Sequence, residues 1–146
     1  MLLLAIDPGT LESGFVVFDG ERVHRSGVLP NEEMLRLLPS SQSDALAIEM
    51  VASYGMAVGR EVFDTCVWIG RFQQAWREPG KVRLVFRREV KSHLCGSMKA
   101  KDGNIRQALI DAYGVVGTKK APGPLYGVKS HAWAALGVAA TVLGSA

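Results

Sequence analysis

An apolar run of strand length, Leu2-Leu3-Leu4-Ala5-Ile6, ends on a single carboxylate, Asp7, and then on the turn sequence Pro8-Gly9-Thr10. A short run that is apolar at every position suits a buried strand, and Pro-Gly punctuation stops it. A second run, Gly14-Phe15-Val16-Val17-Phe18, follows and ends at Asp19-Gly20. That dipeptide suits a tight hairpin turn, with Glu21-Arg22-Val23 leading back. Asp7 is therefore expected at the end of a buried strand, its carboxylate turned to solvent or to a ligand. It reads as the first ligand of a metal site whose other members lie further along the chain.

The design recurs once. Asp44-Ala45-Leu46-Ala47-Ile48 is another apolar run, and it stops at Glu49. Two neighbouring strands of this kind would bring two carboxylates together, where repulsion forces one to protonate unless a divalent ion intervenes. Between the two acids, Val23 to Val28 reads as a third strand closed by Pro30. Asn31 to Leu38 reads as a short helix capped by Asn31, carrying Glu32 and Glu33 in its first turn and stopped by Pro39.

Beyond Glu49, the residues Val58, Val62, Phe63, Cys66, Ile69, Phe72 and Trp76 recur at helical spacing and predict a long helix. Its stripe is expected to serve the core and to offer a homodimer contact. Glu78-Pro79-Gly80 breaks that helix, and Val82 to Phe86 is the last strand. A basic stretch follows. Asp102 is the expected N-cap of a helix through Tyr113 that Gly114 ends, with a role in metal binding as the alternative. Gly117 to Gly127 is a Gly/Pro loop carrying Lys119 and Lys120, either a connector or a phosphate-contacting segment. Ser130 is the candidate N-cap of the last helix, with His131 in its first turn.

The sequence has 146 residues, 48% of them apolar, enough for one domain (1–146) with a real core. No run approaches transmembrane length. The Leu-rich start has no basic flank, so neither a signal peptide nor a membrane partner is expected. Cys66 and Cys95 lack Cys-x-x-Cys spacing and read as free thiols of a cytoplasmic protein. The charge is lopsided. Up to Gln73 there are five Lys+Arg against ten Asp+Glu, and from Gln74 onward twelve against four. A basic half is the footprint expected for a polyanionic partner.

Three segments together resemble the RuvC-type Holliday-junction resolvases of the ribonuclease H-like superfamily, especially their short phage-encoded relatives. They are Leu4-Ala5-Ile6-Asp7-Pro8-Gly9-Thr10 with Gly14, Leu46-Ala47-Ile48-Glu49, and His131-Ala132-Trp133-Ala134-Ala135-Leu136. The resemblance implies an α/β ribonuclease H-like fold, a five-stranded mixed sheet flanked by helices with a meander of its first three strands. It also implies metal-dependent hydrolysis of DNA at a four-way junction by a homodimer. Asp7, Glu49 and His131 would then be metal-binding and catalytic, with Mg²⁺ as cofactor and Mn²⁺ able to substitute. Lys101 would be catalytic, and Arg87, Arg88, Lys91, Lys99, Lys101, Lys119 and Lys120 would bind DNA.

The family carries a second acid three residues after the position of His131, and here that position is Ala134. Three explanations stay open: a substitute acid, for which Asp102 is the nearest candidate in kind; a catalytically weakened junction-binding relative; or an introduced change that disables cutting. The reading taken forward is the first. A ribonuclease H-like enzyme acting on flaps or RNA–DNA hybrids is the remaining rival.

Overall fold

The computed structural model describes residues 1–144. Five strands form one mixed sheet: β1 (Leu3–Asp7), β2 (Glu12–Phe18), β3 (Val23–Pro30), β4 (Ala45–Met50) and β5 (Arg83–Phe86), in the order β3-β2-β1-β4-β5. The first three pair antiparallel as a meander, whereas β4 runs parallel to β1 and β5 parallel to β4. Helices α1 (Asn31–Leu37) and α2 (Arg60–Ala75) cover one face. Helices α3 (Arg87–Cys95), α4 (Asp102–Tyr113) and α5 (Ala132–Gly144) cover the other.

Side chains of a strand alternate between faces, so covering both faces demands an unbroken apolar run. In β1, Leu4 and Ile6 pack with Met34, Ile69 and Phe72 under α1 and α2. Leu3 and Ala5 pack with Val90, Ile105, Leu109 and Leu136 under α3, α4 and α5. Helix α5 lies against the sheet under α3 and α4 and is buried on almost every side, which explains its Ala-rich, chargeless sequence.

Helix α2 buries Thr65, Ile69 and Phe72, while Phe63 of the expected stripe points outward, as does Val67. Cys66 and Cys95 are free and half-buried. No helix among the described residues is long and apolar enough to cross a membrane.

The structure departs from the sequence reading at four places. Helix α3 was not expected, because its basic sequence sends only Val90 fully into the core. The turn between β2 and β3 spans four residues, since Phe18 pairs with Val23. Helix α5 starts at Ala132, and Ser130 stands two residues earlier in a left-handed conformation (φ 54°). Asp102 is the first residue of α4 rather than its cap: Asn104 Oδ1 accepts the Lys101 N–H at 2.9 Å. The Asp102 carboxylate is engaged elsewhere.

Candidate metal and nucleic-acid site

Strand register creates the centre of the site. Ile6 of β1 is level with Ile48 of β4 in the parallel pair, so Asp7 and Glu49 come next, side by side. Asp7 shares the parity of Leu3 and Ala5, and Glu49 that of Ala47, so both carboxylates rise from the face that α5 covers. Adjacent strands lie only about 4.8 Å apart. At that separation each carboxylate perturbs the ionisation of the other. Burial is the main cause of the resulting shifts. Glu49 is pushed up to about 7 by desolvation and then by the Asp7 charge. Asp7 is raised by burial against the opposing pull of His131 and Arg87.

His131 closes one side of the pair. Its Nδ1 lies 3.4 Å from Asp7 Oδ2, at the entrance to α5. Glycine at position 14 permits that approach. Gly14 is paired with Asp7 across β1 and β2, and a Cβ there would stand 2.6 Å from the backbone carbonyl of His131. The chain then enters α5 through the left-handed Ser130, a strained conformation for a non-glycine residue.

The turn after Asp7 is braced by a residue that reads from sequence as a helix cap. Asn31 is buried; its Nδ2 donates to the Gly9 carbonyl at 2.9 Å, and its Oδ1 accepts from Ser13 Oγ at 2.6 Å. Ser13 Oγ in turn accepts the Gly9 N–H at 3.3 Å. No side chain caps α1; Asn31 instead holds Gly9, and with it the strand end that carries Asp7. The available signal was the polar Ser13 standing directly before the Gly14-to-Phe18 run of β2.

Arg87 closes the other side. Phe86 pairs with Met50, so the first residue of α3 emerges beside Glu49. Arg87 Nη1 lies 3.3 Å from Glu49 Oε1, and Nη2 binds Asp102 Oδ1. Arg87 is only 25% exposed, whereas the Asp102 side chain is 85% exposed. Beyond them a cavity of about 340 Å³ is lined by Arg87, Asp102, Arg106, His131, Trp133 and Ala134, with the Arg106 guanidinium stacked 4.8 Å over the Trp133 ring. Arg88 lies over Phe86 and the exposed Tyr54, Lys91 is half-buried on α3, and Lys99 and Lys101 are exposed in the approach to α4.

Lys119 and Lys120 lie elsewhere. They top a small hairpin closed by a Gly117–Pro122 bridge and a Gly123 N–H to Val116 carbonyl bond of 2.9 Å. The Pro124 carbonyl accepts from Val23 N–H at 2.9 Å, and Tyr113 packs edge-on against Phe18. Both anchors are at the end of the sheet opposite Asp7. The structure therefore brings Asp7, Glu49, His131, Arg87 and Asp102 together, with Arg88 next to Arg87 on α3 and Lys101 next to Asp102; Lys99 lines a separate groove with Asn104, Gln107 and Asp111, and Lys119 and Lys120 stand apart.

Among the described residues, no three His, Cys, Asp or Glu side chains form a ready-made metal cage. The donors nevertheless fit one hard divalent ion, because two desolvated carboxylates on neighbouring strand ends are relieved of their mutual repulsion by a cation. Such ions commonly keep water in the remaining positions.

No protein-family model and no curated protein matches the chain. Solved structures do. The structure of Thermus thermophilus RuvC superposes with a TM-score of 0.73 at 22% identity, covering 97% of this chain and 92% of that one. T. thermophilus RuvC in complex with a Holliday junction substrate matches with a TM-score of 0.71 at 21% identity over the same shares. The chain shares its fold with these structures along nearly its whole length.

Proposed function

We propose that the chain is a structure-selective endonuclease that resolves four-way DNA junctions by metal-dependent phosphodiester hydrolysis, as a single nuclease domain working in a homodimer. The observation that carries this reading is the juxtaposition of two buried carboxylates, Asp7 and Glu49, beside His131 and a cluster of cations. The fold supports it, since RuvC, its solved counterpart, includes a complex with a Holliday junction substrate.

A divalent ion held by Asp7 and Glu49, Mg²⁺ or Mn²⁺, supplies Lewis-acid polarisation of the phosphate and a more acidic attacking water. The chain's own groups do the rest. His131 presents an imidazole next to Asp7, a nitrogen donor that suits Mn²⁺ better than Mg²⁺. Lys101 stands before α4 as an ammonium for the charge that builds on phosphate. Arg88, Lys91 and Lys99 take backbone phosphates, so binding weakens steeply with salt. Lys119 and Lys120 reach a second stretch of backbone. The exposed Phe63 and Val67 of α2 provide the apolar surface for a second copy.

Ala134, which adds no carboxylate to the cavity it lines, favours a second reading, a junction binder with weakened cutting. Nicking of a synthetic four-way junction with Mg²⁺ or Mn²⁺ separates the two. The main reading expects cutting by the wild type and none by Asp7→Asn, with junction binding in EDTA intact in both. Cutting retained by that variant would remove Asp7 from the mechanism.

A further inference from the structure

We propose that the Arg87 guanidinium fills the position that a second divalent cation would need, so that this chain cuts with one ion and one arginine. The inference rests on the nuclease reading. Two-ion phosphodiester sites clamp the attacking and the leaving oxygen between cations about 4 Å apart, and each ion needs its own anionic ligands. Here the two buried carboxylates suffice for one ion. The wall where further ligands would stand holds Ala134, Arg106 and Arg87 beside His131, and the carboxylate it carries, Asp102, is bound to Arg87.

Arg87 is built into that position. It follows β5 directly, just past the Met50–Phe86 pair that closes the β4–β5 ladder, and one arm of its fork is spent on Glu49 at 3.3 Å. The other arm binds Asp102, whose carboxylate is almost fully exposed and borders the cavity. A guanidinium bridges two oxyanions through its planar fork. In the free protein Asp102 therefore occupies the place of a DNA phosphate oxygen, and substrate displaces it while Glu49 keeps Arg87 aimed. Hydrolysis then forms the bond from water oxygen to phosphorus and breaks the bond to the leaving oxygen, which takes a water proton through solvent. Arg87 stabilises the added negative charge and is not consumed.

The test counts metal as well as cutting. Titration of the purified protein with Mn²⁺ alone, read by calorimetry, is expected to give one ion per chain, and the R87M/A134D double variant two. Two ions in the wild type would overturn the proposal. At saturating junction and Mn²⁺, Arg87→Met should lower kcat by roughly a hundredfold and Arg87→Lys by less. Unchanged kcat in a folded Arg87→Met protein would also overturn it. Asp102→Ala should tighten junction binding by up to about fivefold, since it frees the second arm; loss of bound Mn²⁺ in that variant would make Asp102 a ligand and sink the assignment. If the wild type cuts no DNA, the nuclease reading falls, and the Mn²⁺ count still decides whether Arg87 holds the second cation position.

Discussion

At one end of β2, the Asp19 carboxylate accepts the backbone N–H groups of Glu21 at 2.8 Å and Arg22 at 2.7 Å, and its other oxygen meets His24 Nε2 at 2.7 Å. At the other end, Asp7 lies across from Gly14 with no such backbone donors, pressed against a second acid. The hydrogen bonds from Arg22, His24 and Glu21 lower Asp19 to about 2, while burial raises Glu49 to about 7. The two turns are separated by the seven residues of β2, yet one stabilises an ionised acid and the other makes ionisation costly. An acid that only had to close a turn would be solvated like Asp19. On the proposed reading, the cost at Asp7 and Glu49 is the one that a bound cation would relieve.

The largest effect should come from removing that cost. A raised carboxyl pKa means the folded state binds protons more tightly than the unfolded chain. Stability is then fully present below the unfolded value of 4.5 and lost as pH rises through about 7. The loss is on the order of 3 kcal/mol. Thermal melts in EDTA should therefore fall from pH 5 to pH 8 in the wild type. Glu49→Gln, which mimics the protonated acid, should flatten that slope and be the more stable protein at pH 8, while cutting disappears. Mn²⁺ should stabilise the wild type at pH 8 and leave Glu49→Gln unmoved. A variant no more stable than wild type at pH 8 would make the acid pair an ordinary one.

The comparison sharpens at Gly14, because a Cβ there meets the His131 backbone, whereas one at Gly20 meets only a Leu143 methyl at 3.8 Å. Gly14→Ala drives a methyl into the His131 carbonyl, and overpacking of this kind costs between about 2 and 3 kcal/mol. Cutting should fall further than stability explains, since His131 must retreat from Asp7. Gly20 at the other end is tested the same way, but its cost would come from its φ of 99° and leave cutting untouched. Equal losses of activity in the two variants would break the contrast.

Which parts of this were readable from sequence follows from how local each cause is. Asp7 and Glu49 were legible because each strand announces its own end: an unbroken apolar run, then one acid. Their meeting also needs β1 and β4 to be parallel neighbours, a condition the two runs leave open and the strand register meets. Arg87 reads as one more cation in a basic stretch, because its role depends on β5 lying next to β4, a pairing that no short window contains. Helix α3 was hidden for the same reason, since only Val90 with the flanking Leu94 and Cys95 carries an inward face. Asn31 and Asp102 misled in a common way. Both are good cap residues at helix starts, and in both the side chain is taken by a long-range partner, Gly9 and Ser13 in one case and Arg87 in the other.

Asn31 is the next way to separate the two ends. Its amide is the tether that makes the Pro8–Leu11 turn rigid, whereas the Asp19 turn satisfies itself locally. Asn31→Ala leaves the Gly9 carbonyl and the Ser13 hydroxyl without their partner, at a cost of about 2 kcal/mol. The expected signature is faster amide exchange at Gly9 and weaker Mn²⁺ binding, with the Asp19 turn unchanged. Unaltered Mn²⁺ affinity in a folded variant would show that the brace serves stability alone.

The smallest effect belongs to Asp19, and its sign is opposite to that of Glu49. A lowered carboxyl pKa contributes stability that is present above the unfolded value of 3.8 and lost as pH falls through about 2. The group is on the surface, so screening by solvent reduces its worth, and Asp19→Ala should cost only about 1 kcal/mol at pH 7. That cost should shrink toward nothing in acid, while Glu49→Gln shows its difference only at higher pH. Because the turn lies at the end of the sheet remote from Asp7, cutting and Mn²⁺ binding should match the wild type. Measured together, the two variants should give stability differences that grow with pH in both cases, one as a gain and one as a loss. A gain from Asp19→Ala at any pH would mean that the Asp19 turn, too, holds its acid at a cost.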